Sequence, residues 1–159
     1  MSDISAPSGP DPTAELVRSV RRIAQAIDVR SREIARLTGL TLPQLLVLQS
    51  IRALGEVSTH AVSRDVSMSA PTVVAVLDRL EARGLIVRYR STSDRRIVHA
   101  RLTPAGEAAL VGAPGLLRTG AMRALAELPP EQRDALAAAI RTVTDLIGPE
   151  SEPPTPPAP

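Results

Sequence analysis

At Gly84 the spacing of apolar residues changes, and this change restricts the fold more than any other feature of the chain. Before it, Val73, Val76, Leu77 and Leu80 recur at intervals of three and four, the stripe of one helix face. After it, Leu85, Val87 and Tyr89 alternate with Ile86, Arg88 and Arg90, and Val98, Ala100 and Leu102 alternate with Ile97, His99 and Arg101. A helix opening at Ser69-Ala70-Pro71-Thr72 thus runs directly into a two-strand ribbon joined by Ser91 to Arg96. The stripe leaves Ser69, Ala70, Thr72, Ala75 and Arg79 facing outward, and all but Arg79 have short side chains.

The flanking sequence is helical. Leu16, Val20, Ile23, Ile27 and Ile34 mark an amphipathic helix from about Thr13 to Arg36, ended by Gly39. A second helix fits Leu42 to Leu54, with Pro43 in its first turn and Gly55 just past its end. A short extended link at Glu56 and Val57 leads to a helix capped by Ser58, with Val62 and Val66 inward. A turn around Ser67 then reaches Ser69, which makes a helix, tight turn, helix unit. Beyond the ribbon, Thr103-Pro104 starts a helix predicted to run to about Leu128, with a kink where Gly112, Pro114, Gly115 and Gly120 loosen it. The last helix opens at Pro129-Pro130-Glu131 and carries Leu136, Ile140, Val143 and Ile147 on one seam. Residues 1–12 and the proline-rich 148–159 read as disordered tails, because neither can bury enough apolar surface to offset the entropy of ordering.

Composition narrows the chemistry. The chain has 159 residues, enough for one ordinary core, and 43% of them are hydrophobic. Without cysteine there is no disulfide framework, thiol switch or thiolate zinc site, and His60 and His99 alone make a poor metal set, so no cofactor or metal is expected. Ser67, His99 and Asp94 could be drawn as a triad, but no nucleophile elbow or phosphate loop accompanies them, and no enzyme is expected. No run approaches the length of a membrane span and the N-terminus lacks a signal-peptide core, so a cytoplasmic protein without a membrane partner is expected. All 19 basic residues are arginine, and residues 57–103 carry a net charge of +4 whereas 104–159 carry −3. A basic centre of this kind attracts phosphates in a salt-dependent way, as a solvated surface also would.

Four segments together, Ser69-Ala70-Pro71-Thr72-Val73, Leu77-Asp78-Arg79-Leu80-Glu81-Ala82-Arg83-Gly84-Leu85, Ser93-Asp94-Arg95-Arg96 and Leu102-Thr103-Pro104-Ala105-Gly106, give the chain a pattern that resembles the MarR family of bacterial winged-helix transcription regulators. The resemblance runs from about Thr13 to Ile147. The fold expected is mainly α with a small β-hairpin wing: a winged helix-turn-helix plus terminal dimerisation helices. Residues 13–147 would form that domain, with 57–103 as its DNA-binding lobe and 13–36 and 104–147 as dimerisation helices. The resemblance implies a homodimer that binds a palindromic operator in double-stranded DNA, acting as a repressor under a small-molecule effector. The dimer would be held through Leu16, Val20, Ile23, Ile27, Leu136, Ile140, Val143 and Ile147.

The DNA-binding residues expected are Ser67, Ser69, Ala70, Pro71, Thr72, Ala75, Arg79, Arg88, Arg90, Asp94, Arg95 and Arg96. Ser67, Ser69 and Thr72 place short hydroxyls beside the unpaired amides of a helix N-terminus, suited to phosphate or base-edge contact and equally to helix capping. Asp94 resembles the family's wing aspartate, which holds an arginine that enters the minor groove, with Arg96 or else Arg95 as that arginine. Arg88, Arg90 and Arg101 read as phosphate contacts, while Arg79 and Arg83 fit intrahelical ion pairs as well. One departure from the family stands at Val74-Ala75, where many members carry a polar and then a long basic residue. Ala75 offers only apolar contact to a thymine methyl, and this keeps open a helical dimer whose winged domain docks protein rather than DNA. Arg32 or Arg36 could receive an anionic effector. With one Tyr and no Phe or Trp, an aromatic stacking pocket is hard to build.

Overall fold

Local signals place the helix boundaries. The computed structural model describes residues 11–148, so the expected tails lie almost wholly outside the described residues. Helix α1 (Pro12–Thr38) begins on Asp11, whose carboxylate accepts the N–H of Thr13, and ends at Gly39 in the left-handed conformation. It is a residue longer at its start and two at its end than its periodicity predicts. Helix α2 (Leu42–Leu54) opens with a capping box in which the Thr41 hydroxyl accepts from Gln44 N while the Gln44 side chain accepts from Thr41 N. Strand β1 (Val57–Ser58) follows, and the Ser58 hydroxyl caps α3 (Thr59–Asp65) through Ala61 N.

Helix α4 (Ala70–Ala82) is reached through Ser67, whose φ of 53° is left-handed and costs a residue with a Cβ about 1 kcal/mol. The turn is braced by Ser63, whose hydroxyl donates to Met68 O at 2.5 Å. Gly84 carries the chain out of α4 at φ 69°, and Leu85 N donates back to Leu80 O, so the helix is closed by left-handed backbone that a side chain would strain. Strands β2 (Ile86–Arg90) and β3 (Val98–Leu102) pair antiparallel, with Arg88 opposite Ala100 and Tyr89 opposite His99. Strand β1 adds to the far side of β3, giving the order β1-β3-β2. Helix α5 (Pro104–Leu110) then starts on Thr103, whose hydroxyl donates to Gly84 O and accepts from Gly106 N.

The core gathers Leu45, Val47, Leu48 and Ile51 of α2, Val62 of α3, Val73, Val76, Leu77 and Leu80 of α4, and Ile86 and Ala100 of the sheet. The predicted stripe of α4 is therefore its buried face. Helix α1 contributes only Ile34. A Cβ on Gly106 would collide with the carbonyl oxygen of Leu85, so glycine lets α5 lie against the turn that follows α4. No single helix among the described residues is long and apolar enough to cross a membrane. Helices α1 and α2 reach that apolar content only together, they meet at 72°, and Leu45, Val47, Leu48 and Ile51 of α2 are core.

One predicted element divides. Instead of a kinked helix from Pro104 to Leu128 there are α5 and α6 (Thr119–Glu127), separated by eight non-helical residues. Val111 is extended, Gly112 is left-handed and Pro114 lacks a donor, so three successive features deny the backbone its helical hydrogen bonds. Arg30 of α1 holds this segment through a hydrogen bond from its Nε to Gly115 O at 3.0 Å. The described residues form two compact units, one ending at Leu116 and the other beginning at Leu117 with α6 and α7 (Pro130–Ile147). In the second unit Arg133 closes the α6–α7 corner by donating to Ala126 O and Leu128 O.

Candidate nucleic-acid interface

The outward face of α4 is built by its cap and its stripe. Ala70, Pro71, Thr72, Val74, Ala75, Asp78 and Arg79 are all exposed. Capping takes up the hydroxyls of the first turn: Ser69 Oγ accepts from Thr72 N at 3.3 Å and lies 2.7 Å from Thr72 Oγ1. Pro71 has no N–H and Val73 N donates to Ser69 O, so the start of the helix offers fewer open amides than the sequence suggested. Ser67 is exposed, and its hydroxyl makes no hydrogen bond among the described residues. Arg79 likewise makes no ion pair among them. Arg83, which fitted an intrahelical ion pair as well as a phosphate contact, donates to Gly39 O at 3.0 Å.

The wing tip is a self-bonded turn. Ser91 N donates to Ile97 O, Ile97 N donates to Asp94 O, and the Ser91 hydroxyl accepts from Ser93 N and Asp94 N. Asp94 grips Arg96 with both carboxylate oxygens. Oδ1 accepts from Arg96 N at 3.0 Å and from Nε at 3.1 Å, and Oδ2 accepts from Nη2 at 3.0 Å. This fork settles which arginine Asp94 holds, and the hydrogen bonds to Arg96 keep its carboxyl below the usual carboxylate range. The Arg96 side chain nevertheless stays 91% exposed. Arg90 braces the tip by donating to Arg95 O at 2.9 Å, while the Arg95 side chain is exposed and makes no hydrogen bond among the described residues.

Arg88 departs from the phosphate contact expected of it. Its side chain is three-quarters covered, and its guanidinium lies 2.6 Å from Asp78 Oδ1 and 2.7 Å from Glu81 Oε2. The same carboxylate accepts from Arg88 N at 3.1 Å. Hydrogen bonding to Arg88 lowers the Glu81 pKa against the opposing effect of burial. The alternation of β2 contained the signal for this: Arg88 shares the inner face with Ile86 and sits opposite buried Ala100, facing the helix that carries two carboxylates three residues apart. On the other face Tyr89 stacks on His99 at 5.7 Å, with the Arg101 guanidinium 6.0 Å from the Tyr89 ring. The single tyrosine is thus part of the sheet.

Arg32 of α1, named as an anion receiver, is paired with Asp28. The seam residues Leu16, Ile23, Ile27, Leu136, Ile140 and Ile147 are exposed, and Val20 and Val143 are half-buried. Neither α6 nor α7 has a buried residue.

Residues 40–98 match the sequence model described as the MarR family. An uncharacterised HTH-type transcriptional regulator of Bacillus subtilis, YsmB, is 32% identical over 94 residues, covering 59% of this chain and 64% of its own length. An HTH-type transcriptional repressor of Mycobacterium tuberculosis is 33% identical over 97 residues, covering 60% of this chain and 70% of its own. The chain thus spans under two thirds of the Bacillus relative and slightly more of the mycobacterial one. Among solved structures, Bordetella bronchiseptica BpsR, whose DNA binding is regulated by 6-hydroxynicotinic acid, is 28% identical with a TM-score of 0.65 over 86% of this chain and 99% of BpsR. The Staphylococcus aureus MepR–DNA complex shares the fold, with a TM-score of 0.64 at 18% identity over 87% of this chain and all of MepR.

Proposed function

The chain belongs to the MarR family, and from that premise we propose that it is a sequence-specific DNA-binding transcription regulator, a repressor acting as a homodimer on a palindromic operator. The observation that carries the reading is Arg96, held out into solvent by a two-pronged carboxylate at the tip of a wing that packs beside α4. A guanidinium fixed in that way suits the narrow minor groove, whose negative potential attracts arginine. Helix α4 presents a face of short side chains to the major groove. Thr72, Ala75 and Arg79 meet base edges or the thymine methyl, and Ser67 and Arg95 meet phosphates.

Two copies would place their α4 helices about one helical turn of DNA apart, roughly 34 to 36 Å, which matches a palindrome by symmetry. The exposed seams of α1 and α7 favour such a dimer, because helices with apolar stripes and almost no buried residues gain by covering them with a second chain. A small-molecule effector is proposed by analogy with BpsR. Its binding would rest on arginine and aliphatic contacts, since the one tyrosine stacks on His99.

The test is fluorescence anisotropy with an operator selected from genomic fragments, at two salt concentrations. Binding should weaken steeply with salt, and Arg96→Ala should lose roughly five- to a hundredfold in operator affinity. No binding by the parent at low salt would refute the reading and leave the protein-docking alternative.

A further inference from the structure

Arg88 stands between the two elements assigned to DNA. At the base of the ribbon its guanidinium meets Asp78 and Glu81 of α4, and its backbone N–H is bound by the same Glu81 carboxylate. Two residues further along β2, Arg90 holds Arg95 O at the tip. The next residue, Arg96, is the one clamped by Asp94. Arginine contacts are therefore spaced along the ribbon from the outer flank of α4 to the wing tip, and those to Asp78, Glu81 and Asp94 are ion pairs with a carboxylate, among the strongest bonds a side chain makes. We propose that Arg88 is a positioning residue that locks the wing to α4, so that the two elements meet DNA as one preformed body.

The alternative to locking is a ribbon whose outer part, beyond the core residues Ile86 and Ala100, flexes and must be ordered on the duplex, at a cost that weakens binding. Locking and simple charge neutralisation make opposite forecasts. Replacing Asp78 and Glu81 together, as Asp78→Asn with Glu81→Met, removes two negative charges beside a phosphate backbone and releases Arg88. If only charge mattered, DNA affinity would rise. If Arg88 positions the wing, operator affinity falls, by about five- to tenfold, and the benefit of Arg96 falls with it.

This inference rests on the DNA-binding reading for that affinity measurement, but a second readout needs no DNA. The chain has no cysteine, so spin labels at Thr92→Cys on the wing and Ala82→Cys at the end of α4 report one distance, measured in dimers diluted with unlabelled protein. The expected results are a narrow distance distribution in the parent that broadens in the Asp78/Glu81 variant, and an Arg96→Ala effect that shrinks to about twofold in that background. An unchanged distribution overturns the proposal, and so does an Arg96→Ala effect as large as in the parent. If the double variant fails to fold, as its thermal transition will show, Arg88→Met removes both ion pairs at once and is expected to broaden the same distance distribution. If the parent binds no DNA, the DNA-binding reading fails and the distance measurement alone decides whether Arg88 locks the wing.

Discussion

A long arginine side chain loses rotamer freedom whenever it is fixed on a ligand, and that loss is subtracted from the affinity it provides. Asp94 removes the loss in advance, since its two oxygens hold the Arg96 guanidinium and its backbone N–H in the free protein. An ion pair this exposed adds little to folding stability, so under the proposed DNA-binding function its value would lie in preorganisation. Asp94→Asn is accordingly expected to leave Tm within about 2 °C of the parent while lowering the ratio of operator to random-duplex affinity on the order of tenfold. The ratio is the quantity to measure, because losing a negative charge raises nonspecific affinity at the same time. Ser67→Gly supplies a second residue-scale test. Glycine adopts the left-handed turn without strain, so the fold persists, and a fall in DNA affinity by a fewfold assigns the contact to the hydroxyl.

At the scale of elements, the Glu81 carboxylate is deprotonated more readily in the folded protein than in the unfolded chain, because Arg88 stabilises its charged form. A depressed carboxyl stabilises the fold above its unfolded pKa, near 4.3, and that stability is lost as pH falls through the lower folded value. Denaturant titrations from pH 7 to pH 3 should therefore show a steeper acid-side loss in the parent than in Arg88→Met. Asp94 shifts in the same direction, which leaves the wing clamp intact at neutral pH. The contact between α5 and the turn after α4 is sterically stricter. Gly106→Ala forces its methyl into the Leu85 carbonyl and is expected to cost about 1 to 3 kcal/mol by denaturant unfolding. Helix termini were legible here because a cap is a local bond. Ser58, Ser69 and Thr103 each serve the helix they precede, while the capping box at Thr41 was not read from the sequence. The helix expected from Pro104 to Leu128 was not, since its eight-residue break is held in part by Arg30, 85 residues away in sequence.

For the whole molecule, the exposed seams make association the central expectation. Ile140→Asp places a charge on the α7 seam and should shift the sedimentation of the 16.8 kDa chain from dimer toward monomer at micromolar concentration. Operator affinity should fall with it, because two half-sites are no longer linked. If the variant sediments as the parent does, α7 is not in the interface. Helical stripes, strand alternation, the turn at Gly84 and the basic centre are all properties of neighbouring residues, and the sequence by itself determined them. Which arginines are free and which are committed was decided only by the tertiary structure. Arg88 and Arg96 lie on one ribbon with the same charge, yet folding brings two carboxylates of α4 against the first and leaves the second clamped but open to solvent. Periodicity records which face a residue occupies, whereas a charge partner depends on which distant segment that face meets.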